Sequence, residues 1–430
     1  MPLCGASWKP ALQWIPSMFS TCSKAVILCI LAAVAGRAST VRSPSKRAGA
    51  GSLFQIVRHG KWGFMDRTGR VVIRPKFADE RDFFYGLAAV ELKSGKWGYI
   101  DQAGRLVIDA RFDGARDFLE ELAPVRIGRK WGYIDTSGRM VIEPQFQAAG
   151  EFHEGLARVH IWSKVFCGSE FTNEDAPFYA FHLADDEPPD VRGCYPEGGK
   201  FGYIDKTGKM VITPQFFIAQ DFSEGLAAVR VEETVDSKFG YVNRSGNLVI
   251  GSRFNQAEPF SEGLAAVETS ARIVGDRVED IAYGFIDHTG ALRIPDKYDF
   301  AGNFSEGLAR VAIKAGVSEG YIDHDGKMVI PPEYAQAGNF SEGMATACNG
   351  DDSKYDCFYI DRSGSPVLKQ FWATWPFTDG LAVIGVNPPQ DYIDKKGRFI
   401  AQFSNEYICK KPHHAHPSMC RQPPRDRTQP

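Results

Sequence analysis

One sequence unit recurs along most of this chain, and it restricts the fold more than any other feature. Its clearest copies begin with Lys61-Trp-Gly-Phe-Met-Asp66, Lys96-Trp-Gly-Tyr-Ile-Asp101 and Lys130-Trp-Gly-Tyr-Ile-Asp135, and later copies include Lys200-Phe-Gly-Tyr-Ile-Asp205 and Lys238-Phe-Gly-Tyr-Val-Asn243. The spacing of about 35 residues gives eight nearly complete units and a partial ninth. A unit of this size cannot bury a core alone, so neighbouring units must stack to supply it.

Each unit has the same internal order, which predicts three short antiparallel strands. The third copy shows the order: the Trp-Gly strand, the turn Asp135-Thr-Ser-Gly138, the apolar run Met140-Val-Ile142, then Pro144, Phe152-His-Glu-Gly155 and the strand Leu156-Ala-Arg-Val159. Asp-x-x-Gly is typical of a hairpin turn, in which the glycine takes positive φ. Proline cannot donate to a ladder, so we expect Pro144 to end the second strand. The fold class is therefore all-β, as an open superhelical array or a closed, propeller-like one.

The Trp-Gly pairs at Trp62-Gly63, Trp97-Gly98 and Trp131-Gly132 resemble the WG-repeat family. Phe201-Gly202 and Phe239-Gly240 continue the motif with phenylalanine, whereas Tyr283 replaces the tryptophan and Phe358 the glycine in later copies. The resemblance covers about residues 55–405. It implies a β-repeat fold found in exported and multidomain bacterial proteins, and it implies no reaction.

The segments outside the repeats predict export. An apolar run at residues 25–36 follows Lys24 and ends in small residues, which is typical of a signal peptide cleaved near Ala35. We therefore predict a signal peptide at 1–35, a flexible linker at 36–54, the repeat array at 55–405 with an insertion at 160–199, and a disordered tail at 406–430. The expected location is secreted or periplasmic, in the cell envelope of a bacterium, without a further membrane span.

Six cysteines remain after such a leader is removed, and they fall in three sequence-local couples. The couples are Cys167 with Cys194, Cys348 with Cys357, and Cys409 with Cys420. An even number of locally paired cysteines in an exported chain predicts disulfide bonds. Locality favours this sequential pairing, while the other connectivities stay open.

The acidic and nucleophilic motifs favour structural roles over catalysis. An Asp recurs at the end of the Trp-Gly strand, and a Glu recurs before the Gly of the Phe-x-Glu-Gly segment. Because a catalytic carboxylate pair needs to occur only once, recurrence in repeat after repeat favours a structural role. Gly316-Val-Ser-Glu-Gly320 matches a nucleophile elbow, but the expected strand after it conflicts with the helix that an elbow needs. His413, His414 and His416 lie on the predicted tail. We therefore predict no catalytic residue, no metal site and no cofactor.

The functional hypothesis rests on two repeated positions: the aromatic residue of the Trp-Gly strand, and the variable residue of the Leu-Ala-x-Val strand. If the Trp and Phe row is buried it is core, and if exposed it is a platform for sugars or peptides. The variable position of the Leu-Ala-x-Val strand holds Arg158 and Arg310 in two copies, which we take as the candidate ligand face. With a net charge of −3, nucleic acid is not an expected partner. The sequence favours a scaffold that binds a protein or an envelope glycan; the alternatives are a carbohydrate-active enzyme and a purely structural envelope protein.

Overall fold

The computed structural model describes residues 52–161, 164–167, 194–197, 199–232, 234, 237–274, 277–313, 318–350, 356–371, 374–385 and 391–401. Throughout these residues the secondary structure is β-strand and turn, so the all-β prediction is confirmed. They contain no helix long and apolar enough to cross a membrane. The predicted signal peptide, most of the predicted linker and the predicted tail lie outside the described residues. The first strand begins at Phe54, one residue before the predicted start of the array.

Nine small antiparallel sheets form the blades of a β-propeller, numbered here in chain order. Blade 1 comprises β1 (Phe54–Arg58), β2 (Lys61–Met65) and β3 (Val71–Phe77). Blade 2 comprises β4 (Asp79–Glu80), β5 (Leu87–Glu91), β6 (Trp97–Asp101) and β7 (Leu106–Phe112). Blade 3 comprises β8 (Gly114–Ala115), β9 (Leu122–Ile127), β10 (Lys130–Asp135) and β11 (Met140–Phe146). Blade 4 comprises β12 (Ala148–Ala149), β13 (Leu156–Ile161), β16 (Lys200–Asp205) and β17 (Met210–Phe216), with a separate hairpin of β14 (Lys164–Cys167) and β15 (Cys194–Glu197).

The remaining blades repeat this plan. Blades 5 and 6 comprise β18 (Ile218–Ala219), β19 (Leu226–Arg230), β20 (Phe239–Asn243) and β21 (Leu248–Phe254); and β22 (Gln256–Ala257), β23 (Ala265–Val274), β24 (Arg277–Ile286) and β25 (Leu292–Tyr298). Blade 7 comprises β26 (Phe300–Ala301), β27 (Ala309–Ala312), β28 (Glu319–Ile322) and β29 (Met328–Tyr334). Blade 8 comprises β30 (Gln336–Ala337), β31 (Ala345–Asn349), β32 (Asp356–Ile360) and β33 (Pro366–Phe371). Blade 9 comprises β34 (Leu381–Ile384), β35 (Asp391–Asp394) and β36 (Phe399–Ala401).

A complete blade has four strands, one more than the sequence predicts. The additional first strand has only two residues, such as Ala148–Ala149, and it pairs with the Leu-Ala-x-Val strand that follows. We call the strands of a blade first to fourth in chain order; blades 1 and 9 have only the second to fourth in the described residues. In blade 9 a single bridge between Thr374 and Ile384 stands where a first strand would lie.

Each blade combines two consecutive sequence repeats. The Leu-Ala-x-Val strand that closes one repeat pairs with the aromatic-Gly strand that opens the next, as in the register of Val159 with Gly202 in blade 4. The boundaries of a blade therefore do not coincide with the boundaries of a sequence repeat, because each blade begins inside one repeat and ends inside the next. Because every blade takes strands from two repeats, neighbouring repeats are bound by backbone hydrogen bonds as well as by packing.

The fourth strand explains the glycine of the Trp-Gly pair and corrects the prediction for Pro144. The strand β11 continues through Pro144 to Phe146, with an irregular register where it crosses Gly132. A Cβ on Gly132 would lie 2.7 Å from the Pro144 nitrogen, so only glycine lets the two strands approach this closely. Proline is tolerated because the fourth strand is an edge strand with a bulge, where its missing N–H breaks no ladder bond.

The hydrophobic core lies between blades, as the repeat predicts. In one cluster Trp131, Tyr133 and Phe146 of blade 3 pack against Phe152 and Ala157 of blade 4. The tyrosine hydroxyl of the third strand also donates a hydrogen bond to a carbonyl of the next blade. These bonds run from Tyr99 to Arg116, Tyr133 to Gly150, Tyr203 to Gln220, Tyr241 to Glu258, Tyr321 to Gly338 and Tyr359 to Trp375.

The same bond closes the ring between blade 9 and blade 1. The Tyr392 hydroxyl donates to the Gln55 carbonyl at 2.7 Å, and the rings of Tyr392 and Phe54 lie edge to face. Leu381, Ile400 and Ala401 of blade 9 share a cluster with Phe54 of blade 1. Of the two arrangements left open by the sequence, the closed propeller is the one observed.

Candidate binding surface

The antiparallel strand order gives the ring two chemically different faces. We define the turn face as the side that carries the Phe-x-Glu-Gly turns between first and second strands and the Asp-x-x-Gly turns between third and fourth strands. We define the hairpin face as the opposite side, which carries the loops between second and third strands. Since successive strands reverse direction, these two sets of connections lie at opposite ends of the strands.

The Asp-x-x-Gly turns on the turn face use their carboxylates for their own backbone. Asp135 Oδ1 accepts the N–H groups of Ser137 and Arg139 at 3.0 and 3.1 Å, and Gly138 has φ +83°. A hydrogen bond from the Ser137 hydroxyl, with others from Arg139, lowers the pKa of Asp135. In blade 1 the hydroxyl of Thr68 has the same effect and holds the pKa of Asp66 at about 2. The recurring aspartates are therefore turn formers, as predicted.

The recurring glutamates link each of blades 3 to 8 to the blade that follows it. Glu154 has φ +52°, a left-handed conformation that costs a non-glycine residue about 1 kcal/mol or more. Its Oε2 accepts the N–H of Gly225 in blade 5 at 2.9 Å. Equivalent bonds run from Gly155 to Glu120, Gly263 to Glu224, Gly307 to Glu262, Gly343 to Glu306 and Gly380 to Glu342. These bonds between blades account for the glutamate row without a ligand.

Basic side chains of the following blade complete this row. Lys206 and Lys395 lie 3.1 and 3.0 Å from Glu120 and Glu342, and His288 and His324 contact Glu224 and Glu262. The turn face is thus regular, and its acids are engaged in bonds within the protein.

The hairpin face is irregular. Its loops range from two residues in blades 1, 3 and 6 to a long insertion in blade 4. They occupy positions 59–60, 92–96, 128–129, 162–199, 231–238, 275–276, 313–318, 350–355 and 385–390. In blade 6 the hairpin of β23 and β24 extends beyond its sheet partners. Variation concentrated in the loops at one end of a rigid scaffold is typical of a binding surface.

Two cysteine couples lie on the hairpin face. The sulfurs of Cys348 and Cys357, in the second and third strands of blade 8, are 2.05 Å apart, which is disulfide-bonding distance. In the insertion of blade 4 the backbone places Cys167 directly opposite Cys194. Cys409 and Cys420 lie outside the described residues, so their pairing stays a prediction.

The hairpin face also exposes a row of aliphatic side chains. Ile127, Ile161, Val231 and Ile313, at the ends of the second strands of blades 3, 4, 5 and 7, are all more than a third exposed. A lysine starts the third strand or directly precedes it in each of the first five blades. These residues are Lys61, Lys96, Lys130, Lys200 and Lys238.

The aromatic row divides between core and surface. Trp131, Phe201 and Phe239 are buried, whereas Trp62 and Trp97 are half-buried. The first three are therefore core residues, as the burial alternative predicts. Among the described members of this row, only Trp62 and Trp97 are accessible enough to contact a sugar or a peptide.

Arg158 and Arg310, the predicted ligand-face residues, make contacts between blades. Arg158 Nε lies 3.0 Å from the carboxylate of Asp221 in blade 5. Arg310 donates to the Ala337 carbonyl of blade 8 at 2.9 Å and lies 3.7 Å from Glu319. Burial raises the pKa of Glu319 and the Arg310 charge opposes that rise. A ligand role for the two arginines stays a prediction, and their observed contacts are within the protein.

Sequence reasoning missed several buried ionisable residues, among them Glu80 and Arg230. Glu80 lies in the first strand of blade 2, at a position that is alanine in the first strands of blades 3 to 8. Arg230 is the last residue of β19 in blade 5. The sequence does distinguish Glu80, since it is a charged residue where six other repeats have alanine. This difference was not apparent because the two-residue first strand was not predicted.

Comparison with known proteins finds solved structures of low similarity. No curated protein matches the chain. Similar solved structures include BamB from Moraxella catarrhalis, with 9% identity, a TM-score of 0.31 and coverage of 65% of this chain and 80% of that one. PorZ of Porphyromonas gingivalis has 10% identity and a TM-score of 0.24, covering 83% of this chain and 50% of that one. The WD40 β-propeller domain of Doa1 has 10% identity and a TM-score of 0.28, covering 84% and 100%.

The family comparison is specific. A family model described as "WG containing repeat" matches seven times, at residues 62–97, 97–131, 131–160, 201–234, 239–270, 283–314 and 320–352. These segments together make up more than half of the chain. The protein therefore belongs to the family of WG-containing-repeat proteins.

Proposed function

We propose that the protein is an exported, non-catalytic scaffold that binds a partner macromolecule through its hairpin face. The observation that carries the proposal is the contrast between the two faces. The turn face repeats the same turns around the ring, while the hairpin face varies in loop length from blade to blade. A rigid ring with variable loops on one side is the arrangement in which loops specify a partner and the scaffold holds them in place.

The surface chemistry of the hairpin face supports this proposal. Exposed Ile127 and Ile161 pair directly with Lys130 and Lys200 across their hairpins, and Val231 and Ile313 are exposed at the ends of the second strands of blades 5 and 7. Apolar contacts surrounded by polar and charged groups are typical of protein interfaces. A protein or an envelope glycan is the class of partner expected from the sequence, and the apolar row favours a protein.

The occupied carboxylates support a non-catalytic role. The aspartate and glutamate rows, which a glycan-processing enzyme would use, bond the turn backbone and the next blade in the contacts described above. Export is the part of the proposal that rests on the sequence of residues 1–35 and on the cysteine couples.

Capture of partners by the mature protein tests the proposal. The chain without residues 1–35 is immobilised and exposed to envelope fractions, together with two double variants that introduce the same charge. Val231→Asp with Ile313→Asp alters the hairpin face; Val249→Asp with Val329→Asp alters equally exposed valines in the fourth strands, near the turn face. We expect the first pair to abolish capture of a specific partner and the second to leave it unchanged. Equal capture by both variants would refute the assignment of the hairpin face.

A further inference from the structure

The turn face changes in chemistry where the ring closes, on blades 9, 1 and 2, which we call the closing arc. In blades 3 to 8 a glutamate occupies each turn between first and second strands. Blade 2 has Tyr85 at this position, 41% exposed, and where blades 4 to 9 have the basic residue that faces the glutamate, blade 3 has Thr136. Within the described part of the closing arc, Asp379 of blade 9 is the one acid at the glutamate position. The acidic row therefore belongs to the other side of the ring.

The turns between third and fourth strands carry an excess of cations in the closing arc. Counted from the first residue of the turn to the residue after the glycine, six arginines or lysines and three aspartates lie in turns 66–70, 101–105 and 394–398, whereas cations and acids are equal in number in blades 3 to 8. The aspartates pair within their own turns, as Asp66–Arg70, Asp101–Arg105 and Asp394–Arg398. Lys395 pairs with Glu342 of blade 8. Arg67 and Lys396, both exposed, are the remaining cations and give the arc its positive charge.

Packing between blades places these cations beside exposed apolar side chains. The turn of blade 1 lies on the fourth strand of blade 9, where Gly69 contacts the Ile400 carbonyl so closely that a Cβ would not fit. Phe399, the residue before Ile400, is 49% exposed. The turn of blade 2 contacts Ile73 of blade 1 in the same way, next to Val72, which is also exposed. Cations and apolar groups thus share one continuous part of the turn face.

The chain joins the array on the closing arc. The strand β1 begins at Phe54 and ends at a loop of the hairpin face, so the residues before it connect to the opposite, turn-face end. Residues 36–51 contain four cations and no acid, and these cations are Arg37, Arg42, Lys46 and Arg47. The sequence that joins the arc therefore adds positive charge only, although the net charge of the whole chain is −3.

We propose that the closing arc, together with the basic segment 36–51, docks on an anionic phospholipid surface. Lipid phosphates accept hydrogen bonds from arginine and lysine, and each basic residue near such a surface strengthens binding about fivefold. Aromatic and aliphatic side chains among the cations enter the boundary between headgroups and acyl chains. A soluble polyanion would satisfy the cations alone, whereas a lipid surface also covers Phe399, Val72 and Tyr85. The proposal goes beyond the proposed function, because it concerns a second surface and leaves the hairpin face free for a partner.

Vesicle flotation tests the proposal. The protein without residues 1–35 is mixed with vesicles of phosphatidylcholine and phosphatidylglycerol in equal parts, and vesicles of phosphatidylcholine alone are the neutral reference. We expect binding to the anionic vesicles only, and we expect it to decrease steeply as salt is added. Arg67→Gln with Lys396→Gln should weaken it about tenfold or more, and Phe399→Ser should weaken it to a smaller extent. The control, Lys209→Gln with Lys327→Gln, removes exposed charges from the same kind of turn in blades 4 and 7 and should change binding by less than about twofold.

Several results would overturn the proposal. Equal vesicle affinity of the Arg67–Lys396 double variant and the unchanged protein would do so, as would an equal loss in the control, equal binding to neutral vesicles, or binding that persists at high salt. A further double variant, Arg42→Gln with Arg47→Gln, tests the segment, and loss of binding in this variant alone would exclude the arc. Tighter binding of a glutamate-rich peptide than of lipid would assign the arc to an acidic protein. Every substituted residue of the array is exposed, so thermal melting should be unchanged; should a variant fail to fold, the salt and neutral-vesicle results for the unchanged protein decide.

The hairpin-face variants separate this surface from the one that binds a partner. Val231→Asp with Ile313→Asp should float with anionic vesicles as the unchanged protein does, since both residues lie on the opposite face. If these substitutions abolish flotation and the Arg67–Lys396 double variant keeps it, the lipid contact lies on the hairpin face and the assignment to the closing arc is wrong.

Discussion

Glu80 gives the sharpest quantitative prediction, because its burial penalises the charge that a carboxylate carries at neutral pH. It is 8% exposed and its Oε2 has no hydrogen-bond partner among the described residues. Burial, reinforced by the negative charges of Asp82, Asp79 and Asp117, raises the pKa of Glu80 from 4.5 to about 9. The group is therefore protonated in the folded protein at pH 7, while the unfolded chain ionises.

The sign and size of the effect follow from this difference. Below pH 4.5 both states are protonated, and Glu80 has no effect on the free energy of unfolding. Between pH 4.5 and about 9 the folded state keeps a proton that the unfolded state releases, so stability falls by about 1.4 kcal/mol per pH unit. The cumulative loss is about 4 kcal/mol at pH 7.5 and about 6 kcal/mol above pH 9.

The substitution Glu80→Gln removes this dependence while keeping the shape of the side chain. We expect the variant and the unchanged protein to have equal stability near pH 4, and the variant to be more stable by about 4 kcal/mol at pH 7.5. The assay is denaturant unfolding followed by tryptophan fluorescence across this pH range. Glu143→Gln, at an exposed position of β11, is the matched control and should leave the pH profile unchanged. Parallel pH profiles for Glu80→Gln and the unchanged protein would refute the reasoning.

Three further predictions concern the turns, the ring closure and the cysteines. Gly138→Val should lower stability by about 1–3 kcal/mol in thermal melts, because a positive φ excludes β-branched residues; an unchanged melting temperature would contradict the turn assignment. Tyr392→Phe should cost about 1 kcal/mol and speed hydrogen exchange in blades 1 and 9 specifically, and uniform exchange across all blades would argue against a closure bond. Non-reducing peptide mapping of the exported protein should find Cys348 linked to Cys357; free thiols at both positions would count against disulfides and export together.

The sequence predicted the periodic parts of the fold because each reflects a local rule. The Asp-x-x-Gly turn needs only a carboxylate and a glycine at fixed spacing, and Gly138 adopts the expected positive φ. The first strand was missed because two residues, such as Ala148–Ala149, are too few to show an alternating pattern. Pro144 was misjudged because the rule against proline in strands fails at a bulged edge strand, which only the crossing with Gly132 reveals.

The contacts between blades were not predictable from single repeats. A repeat predicts that Glu154 belongs to a turn, but its bond to Gly225 depends on how the next blade is placed. Arg158 and Arg310 vary between copies as ligand-binding residues do, yet their side chains contact the following blade. Variability at one strand position therefore reports local fitting between neighbours as readily as recognition. The proposed binding surface is better indicated by loop length, and the insertion at 160–199 is the one such loop that the sequence alone revealed.

The Tyr392–Gln55 bond has a consequence for the order of folding. The other bonds that a third-strand tyrosine makes to the next blade join residues 16 or 17 positions apart, whereas this one joins residues 337 positions apart. Contacts of low sequence separation form early, since little chain entropy is lost in making them, and closing a loop of hundreds of residues comes later. Eight of the nine junctions are thus assembled from neighbours along the chain, and the last is made only when the curvature accumulated over all blades brings the two ends of the array together. A blade geometry slightly too open or too tight would leave a gap or a clash at this last junction, because small deviations at the other eight add up there before the ring closes.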